Sequence, residues 1–234
     1  MQLREQVLDL IEGLPVGAPI PSERELCVRY EVSRMTLRRA LDELARQGYL
    51  VRRQGATTYT ARPKISQRLT LLSFTEDMRR RGMTTSSRLI SSGVQPAGAR
   101  LGTRLHVSVS DPVLTIGRLR IAGGEPMAIE WLYVPTALVP DLDPRVLEDQ
   151  SFYSILSNRF GIEIAGGSQT IEPTVTDAHD ARLLGVPLHS PALFVERATW
   201  TEDGRVIEFV QSTYRGDRYR FEVELMPSGQ LRHP

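Results

Sequence analysis

An α+β chain built from two unlike modules is what this sequence predicts, on three observations. Residues 24–68 hold eleven Arg or Lys against four acids, whereas residues 69–234 hold 17 basic and 20 acidic residues, so a basic part precedes a mildly acidic one. Apolar residues as far as Leu44 recur at three- and four-residue steps, as on a helix face, while from Leu114 onward they form strand-length runs separated by Gly-rich turns. At 234 residues the chain is also long enough for two domains with separate hydrophobic cores.

The first module reads as three helices and a hairpin. Leu3, Val7, Leu10, Ile11 and Leu14 mark one face of a first helix, and the Gly- and Pro-rich residues 13–21 form a connection. Ser22 and Glu25, three apart, predict a capping box that starts a second helix running to about Tyr30. Ser33 offers another N-cap, and Leu37, Leu41 and Leu44 stripe a third helix that Gly48 ends. Arg34, Thr36, Arg38 and Arg39 lie away from that stripe and reach outward. Residues 49–51 and 58–60 are then two β segments around 52–55, where Gly55 permits a tight turn. Two short helices joined by a short turn, the second basic in its first two turns and followed by a basic hairpin, predict a winged helix-turn-helix. Its second helix enters the major groove of double-stranded DNA.

Residues 61–68 lack periodicity and contain Pro63 and Lys64, as a linker does. The domain reading is 1–62 for the DNA-binding module, 63–68 for the linker and 69–234 for the second module. In the latter, residues 114–121, 127–134, 192–200 and 205–213 are strand candidates, and 75–81, 151–160 and 177–184 look helical. Gly123-Gly124 and Asp203-Gly204 predict two antiparallel hairpins. Centring the first on Gly124 sets Arg118 opposite Glu130, with Arg120 two residues on along the same face. Centring the second near Asp203 sets Glu208 roughly opposite Arg197, with Ser212 and Tyr214 continuing that face. Arginine forks suit carboxylate or phosphate oxygens, carboxylates accept from hydroxyls and ammonium groups, and helix starts at Thr75 and Ser151 supply amide donors for an anion.

Composition excludes several classes. With 41% hydrophobic and 24% charged residues and a net charge of +1, the chain is ordinary for a globular protein. No apolar run approaches the ~20 residues of a membrane helix. Arg4, Glu5 and Asp9 interrupt the first ten residues, so no signal peptide is expected and the reading is cytoplasmic. One cysteine, Cys27, cannot form an intrachain disulfide, and the four histidines show no metal spacing, so no metal and no cofactor is expected.

Both modules resemble known families. Residues 21–26 (Pro-Ser-Glu-Arg-Glu-Leu) and 32–41 (Val-Ser-Arg-Met-Thr-Leu-Arg-Arg-Ala-Leu), with Leu44 and Gly48, closely resemble the winged helix of GntR-family transcription regulators. The resemblance implies contacts to phosphates or base edges from Arg24, Arg34, Thr36 and Arg38, and a wing entering the minor groove through Gln54 and Gly55. The sequence departs from the family at the wing, where the usual Gly-Lys-Gly-Thr-Phe-Val is Gly55-Ala56-Thr57-Thr58-Tyr59-Thr60, and at the start, where the lead-in to the first helix, often bearing a tyrosine, is absent.

Beyond the linker, Ser73-Phe74-Thr75-Glu76-Asp77-Met78, Arg118-Leu119-Arg120, residues 124–130, Ser151-Phe152-Tyr153 and residues 214–219 resemble the UTRA effector domain of the HutC subfamily, similar in fold to chorismate lyase. The amino-sugar repressors of that subfamily respond to glucosamine 6-phosphate or N-acetylglucosamine 6-phosphate. The resemblance implies that Phe74, Thr75, Arg118, Arg120, Ser151 and Tyr153 surround the phosphate and that Glu130, Glu208 and Tyr214 meet the sugar. It further implies a homodimeric repressor that binds a palindromic operator and is released by its effector. Two alternatives stay open: an unphosphorylated effector, since related UTRA domains accept other small molecules on the same scaffold, and an enzyme like chorismate lyase, using Arg118, Glu130 and Glu208 in acid-base work. Against the enzyme stands the lack of a nucleophile elbow, a metal-ligand cluster or a phosphate-binding Gly-Lys loop.

Overall fold

The computed structural model describes residues 2–52, 57–61 and 63–223. The chain divides into two compact units, Met1–Ile65 and Ser66–Pro234.

The first unit runs α1 (Gln2–Glu12), α2 (Glu23–Arg29), α3 (Arg34–Arg46), β1 (Leu50–Arg52) and β2 (Thr58–Thr60). The capping box forms as expected: Ser22 Oγ accepts from the Glu25 amide at 3.2 Å, while the Ser22 amide donates to the Glu25 carboxylate at 2.8 Å. Ser33 caps α3 by accepting from the Thr36 amide at 3.2 Å. Val7, Ile11, Leu26, Leu37, Leu41, Leu44 and Leu50 bury together, which fixes the three helices on one another and turns the polar sides of α2 and α3 outward. Gly48 leaves α3 at φ +87°, where a Cβ would also meet Pro63 Cα at 3.2 Å, so a side chain there is opposed by both strain and space. The connection after α1 does more than its composition suggests: Gly17 and Ile20 donate to Thr60 and Thr58 carbonyls at 2.9 and 3.0 Å, adding an extended segment beside β2. The wing tip, including Gln54 and Gly55, lies outside the described residues.

The second unit is a six-stranded antiparallel sheet in the order β4-β5-β6-β9-β8-β7. Its strands are β4 (Thr85–Pro96), β5 (Pro112–Ala122), β6 (Glu125–Pro135), β7 (Gly166–Val175), β8 (Pro191–Trp200) and β9 (Val206–Arg215). β10 (Tyr219–Glu222) pairs separately with β3 (Ile65–Arg68), so part of the segment read as linker is strand. The helices are α4 (Phe74–Arg80), α5 (Gly98–Leu105), α6 (Phe152–Phe160) and α7 (Ala178–Leu184). Strand alternation assigns the two faces. Leu114, Ile116, Leu132, Val134, Ile207 and Val210 pack with α6 and the 3-10 turn Pro144–Glu148. Val113, Tyr133 and Phe209 meet α5 on the opposite face, and Leu119 and Ile129 pack there with Leu184 of α7. Along β5 the α6 face therefore reads Leu114, Ile116, Arg118, Arg120: apolar core at one end, charge at the other.

Both hairpins form. The first has the expected register, with Arg118 opposite Glu130. The second is corrected: Glu208 lies opposite Thr199, and Arg197 opposite Val210. Thr201 closes a longer turn by donating to the Arg205 carbonyl at 3.0 Å, and a bulge between Thr199 and Trp200 adds a residue to one side. The two-residue displacement keeps Arg197 and Glu208 on one face, since side chains alternate with period two. The helix expected to start at Thr75 starts at Phe74, capped by Ser73, whose Oγ accepts from the Glu76 amide at 3.1 Å.

Candidate functional site

Two sets of polar side chains stand out, one on each unit. On the first, Arg24 projects from the first turn of α2, and Arg34, Thr36 and Arg38 from the first two turns of α3; all four are exposed. Arg34 and Arg38 are one turn apart and so share a face. Thr36 Oγ1 lies 2.9 Å from Ser33 Oγ, and Arg38 Nε donates to Glu23 at 2.8 Å. Among the described residues Arg24 and Arg34 have no hydrogen-bond or ion-pair partner. A row of outward donors at the start of the second helix of a helix-turn-helix is the arrangement that reads base edges and phosphates.

On the second unit, the charged end of the α6 face opens into a small cavity that is partly open to solvent. Seven of the nine residues expected there line it: Phe74 from α4, Arg118 and Arg120 from β5, Glu130 from β6, Tyr153 from α6, and Glu208 and Tyr214 from β9. Thr75 and Ser151 stand behind the wall. Thr75 Oγ1 accepts from Arg120 Nη2 at 3.0 Å, and Ser151 Oγ donates to Ser73 Oγ at 3.0 Å. The cavity also takes Ser73, Phe152, Val195, Arg197, Val210 and Ser212. Arg197 and Ser212 were legible from the face of the second hairpin. Ser73 was legible from the Ser73-to-Glu76 spacing, the same signal that located α2.

The guanidiniums of this cavity are not equivalent. Arg118 pairs with Glu130 and donates to the Leu147 carbonyl at 3.4 Å. Arg120, 3% exposed, stacks over the Phe74 ring at 4.7 Å and lies 3.9 Å from Glu130. Arg120 Nε and Nη1 and Arg118 Nε have no hydrogen-bond partner. Arg197 donates through Nε to Gln169 at 2.9 Å and through Nη1 to Tyr153 Oη at 3.4 Å. Glu208 Oε1 accepts from Tyr153 at 2.8 Å and from Thr199 at 3.2 Å.

These contacts set the charge states. Burial alone would raise the Glu130 carboxyl, but Arg118 and Arg120 outweigh it and hold the group at about 2. Burial and the adjacent Arg118 charge lower Arg120 to about 10. Burial raises Glu208 to about 7, against the opposing pull of the Tyr153 hydrogen bond and Arg197. Tyr153 is pushed up by burial and by Glu208, and Tyr214 by burial. At neutral pH three guanidiniums therefore face one fully ionised and one half-ionised carboxyl, so the cavity is positive. Unfilled arginine donors in a buried positive cavity suit an anion, and the carboxyls and Tyr153 beside them suit hydroxyl or amine groups.

A helix-turn-helix head followed by a sheet domain with a charged, partly open cavity is the build of a ligand-responsive transcription regulator. Residues 2–59 match the gntR family of bacterial regulatory proteins and residues 80–220 the UTRA domain, and the chain belongs to this GntR/HutC class of transcriptional repressors. It is 36% identical over 223 residues to the HTH-type transcriptional repressor NagR of Bacillus subtilis, covering 94% of this chain and 91% of that one. The crystal structure of PhnF from Mycobacterium smegmatis matches with a TM-score of 0.81 at 32% identity, over 96% of this chain and 99% of that one. The mannosyl-D-glycerate transport/metabolism system repressor MngR of Escherichia coli is 31% identical over 223 residues, covering 95% of this chain and 92% of that one. Among the described residues no helix is long and apolar enough to cross a membrane.

Proposed function

We propose that the protein is a cytoplasmic, homodimeric repressor that binds a palindromic operator and is released by a phosphorylated amino sugar such as glucosamine 6-phosphate or N-acetylglucosamine 6-phosphate. One observation carries the effector reading: Arg120 is buried with two guanidinium nitrogens unfilled, in a cavity that Arg118 and Glu208 also line. A buried donor without a partner costs free energy, and a phosphate oxygen removes that cost while gaining a charge-assisted bond. The sugar ring lies against Glu130, Glu208 and Tyr214, which accept from its hydroxyls or amine, with Thr75 holding Arg120 and Ser151 holding Ser73 from behind. The relative that represses a mannosyl-D-glycerate system supports a sugar bearing an acidic group.

On the head, Arg34, Thr36 and Arg38 enter the major groove, Arg24 meets phosphate, and the wing residues Gln54 and Gly55 approach the minor groove. One short recognition helix spans few base pairs, so two heads reading paired half-sites supply the specificity a single head lacks. Ligand releases DNA only by the difference between its affinities for the operator-bound and operator-free arrangements.

The test is a thermal-shift titration of the purified protein with both sugar phosphates and their unphosphorylated parents. Stabilisation by the phosphates alone supports the reading. An equal shift with the parent sugars removes the phosphate from it, and no shift with any of the four moves the effector to another class.

A further inference from the structure

Of the three arginines read as DNA contacts on the helix-turn-helix, Arg24 and Arg34 have no hydrogen-bond or ion-pair partner among the described residues, and Arg38 has one. Glu23, the first residue of α2, accepts from Arg38 Nε at 2.8 Å, joining the two helices across their outer side. The carboxylate one turn further along α3 from Arg38, Asp42, is engaged with Arg52 at 2.5 Å. The pair is exposed, at 64% and 37% of the side chains, and an exposed pair contributes little to stability. A carboxylate on a surface that approaches phosphates also repels them. An acidic residue in the first turn of α2 suits the helix dipole wherever its carboxylate points, so it is the geometry of the contact with Arg38 that singles Glu23 out. Glu23 holds the guanidinium through Nε and leaves the Nη1 and Nη2 end free, which is the end that donates in pairs to guanine O6 and N7. An arginine held this way surrenders less side-chain freedom on contact with a base than a free one does.

We propose that Glu23 is a positioning residue for Arg38, and that the protein's discrimination between bases, rather than its general grip on DNA, depends on it. Arg38 is held more firmly protonated by the Glu23 hydrogen bond and charge, so the tether does not weaken the donor it aims. The inference rests on the reading of Arg38 as a base contact.

The experiment separates the two. The full-length protein selects a duplex from a random-sequence pool. Wild type, Glu23→Ala, Glu23→Gln, Arg38→Ala and the double variant Glu23→Ala/Arg38→Ala are then titrated against that duplex, single guanine-to-adenine versions of it, and an unrelated duplex. Melting curves of each variant serve as the folding control. Glu23→Ala is expected to lose about tenfold in discrimination at one guanine while binding the unrelated duplex at least as well as wild type. Glu23→Gln, which keeps an acceptor for Nε, should retain most of that discrimination, and Glu23→Ala should add nothing in the Arg38→Ala background. If Glu23→Ala weakens all duplexes equally, or costs the same in the Arg38→Ala background, Glu23 acts on the fold or on general charge and the proposal is overturned while the reading of Arg38 stands. If Arg38→Ala leaves discrimination intact, that reading fails and the proposal falls with it.

Discussion

The two units set arginine to work in opposite surroundings. On α2 and α3, Arg24 and Arg34 are exposed, without a partner among the described residues, and their charge is screened. In the sheet domain, Arg118 and Arg120 are 4% and 3% exposed, held by Glu130, Thr75, Phe74 and a backbone carbonyl. An exposed guanidinium is free to trade water for phosphate or base at little cost to the fold. A buried one has given up its water on folding, so each donor left unfilled stores a cost that a ligand relieves. In the proposed function the same residue type thus serves a long, water-covered polyanion on one unit and a small, enclosed anion on the other.

If burial makes this difference, substitutions at the two places must fail differently. The largest effect is expected at Glu130: Glu130→Ala leaves Arg118 and Arg120 buried without their carboxylate and should cost about 3–5 kcal/mol of stability in urea denaturation. A loss under about 1 kcal/mol there would mean that the cavity is wetter than its burial indicates. Glu208 sharpens the point through pH. Its carboxyl is raised from 4.5 to about 7 in the folded protein, so the proton it holds stabilises the fold fully below about 4.5, and that contribution fades as pH climbs through 7. Stability should fall by up to about 3 kcal/mol across that window, and Glu208→Gln should flatten the profile. Glu130 contributes in the opposite sense: its ionised form stabilises the fold above the ordinary carboxylate range, and that contribution is lost only as pH falls through about 2.

On the head, Arg34→Ala should leave the melting temperature unchanged and weaken the operator by about 1–3 kcal/mol, read by fluorescence anisotropy. Unaltered operator affinity would remove Arg34 from the interface. The smallest effect is expected at the exposed Arg52–Asp42 pair, 2.5 Å apart, where Arg52→Ala should change stability by no more than about 1 kcal/mol.

The difference between the units also governs what the sequence could reveal. Every helix of the head was legible because its signals are local: Ser22 and Ser33 as caps, a leucine stripe and Gly48. In the sheet domain, centring the first hairpin on Gly124 gives the Arg118–Glu130 pairing, although the Gly123-Gly124 turn itself pairs Ala122 with Glu125 and a bulge between Arg120 and Ile121 supplies the extra residue. The second hairpin slipped by two residues because its longer turn and the bulge at Thr199 have no comparable sequence mark. β4 and β7 went unread as edge strands: stretches such as Ser91 to Gln95 are exposed throughout and show no apolar alternation. α5 begins at Gly98 after Ala97, which makes no side-chain cap, so its start carries no signal. The cavity was legible in its charges and not in its walls, because charge follows strand alternation while walls come from elements far apart in the chain. Arg197 and Ser73 sit on the boundary: both patterns were present in the sequence, and only the fold brings them to Arg120.

In the proposed function, an anion taken up by the buried arginines releases the exposed ones from DNA. The most direct measurement is operator binding by the full-length protein, followed by anisotropy while glucosamine 6-phosphate, N-acetylglucosamine 6-phosphate or the parent sugars are added. The account predicts release by a sugar phosphate at concentrations where its parent sugar has no effect, and loss of that response in Arg120→Ala with operator affinity retained. Operator binding that ignores every one of these compounds, or an Arg120→Ala variant that still responds as wild type does, would contradict it.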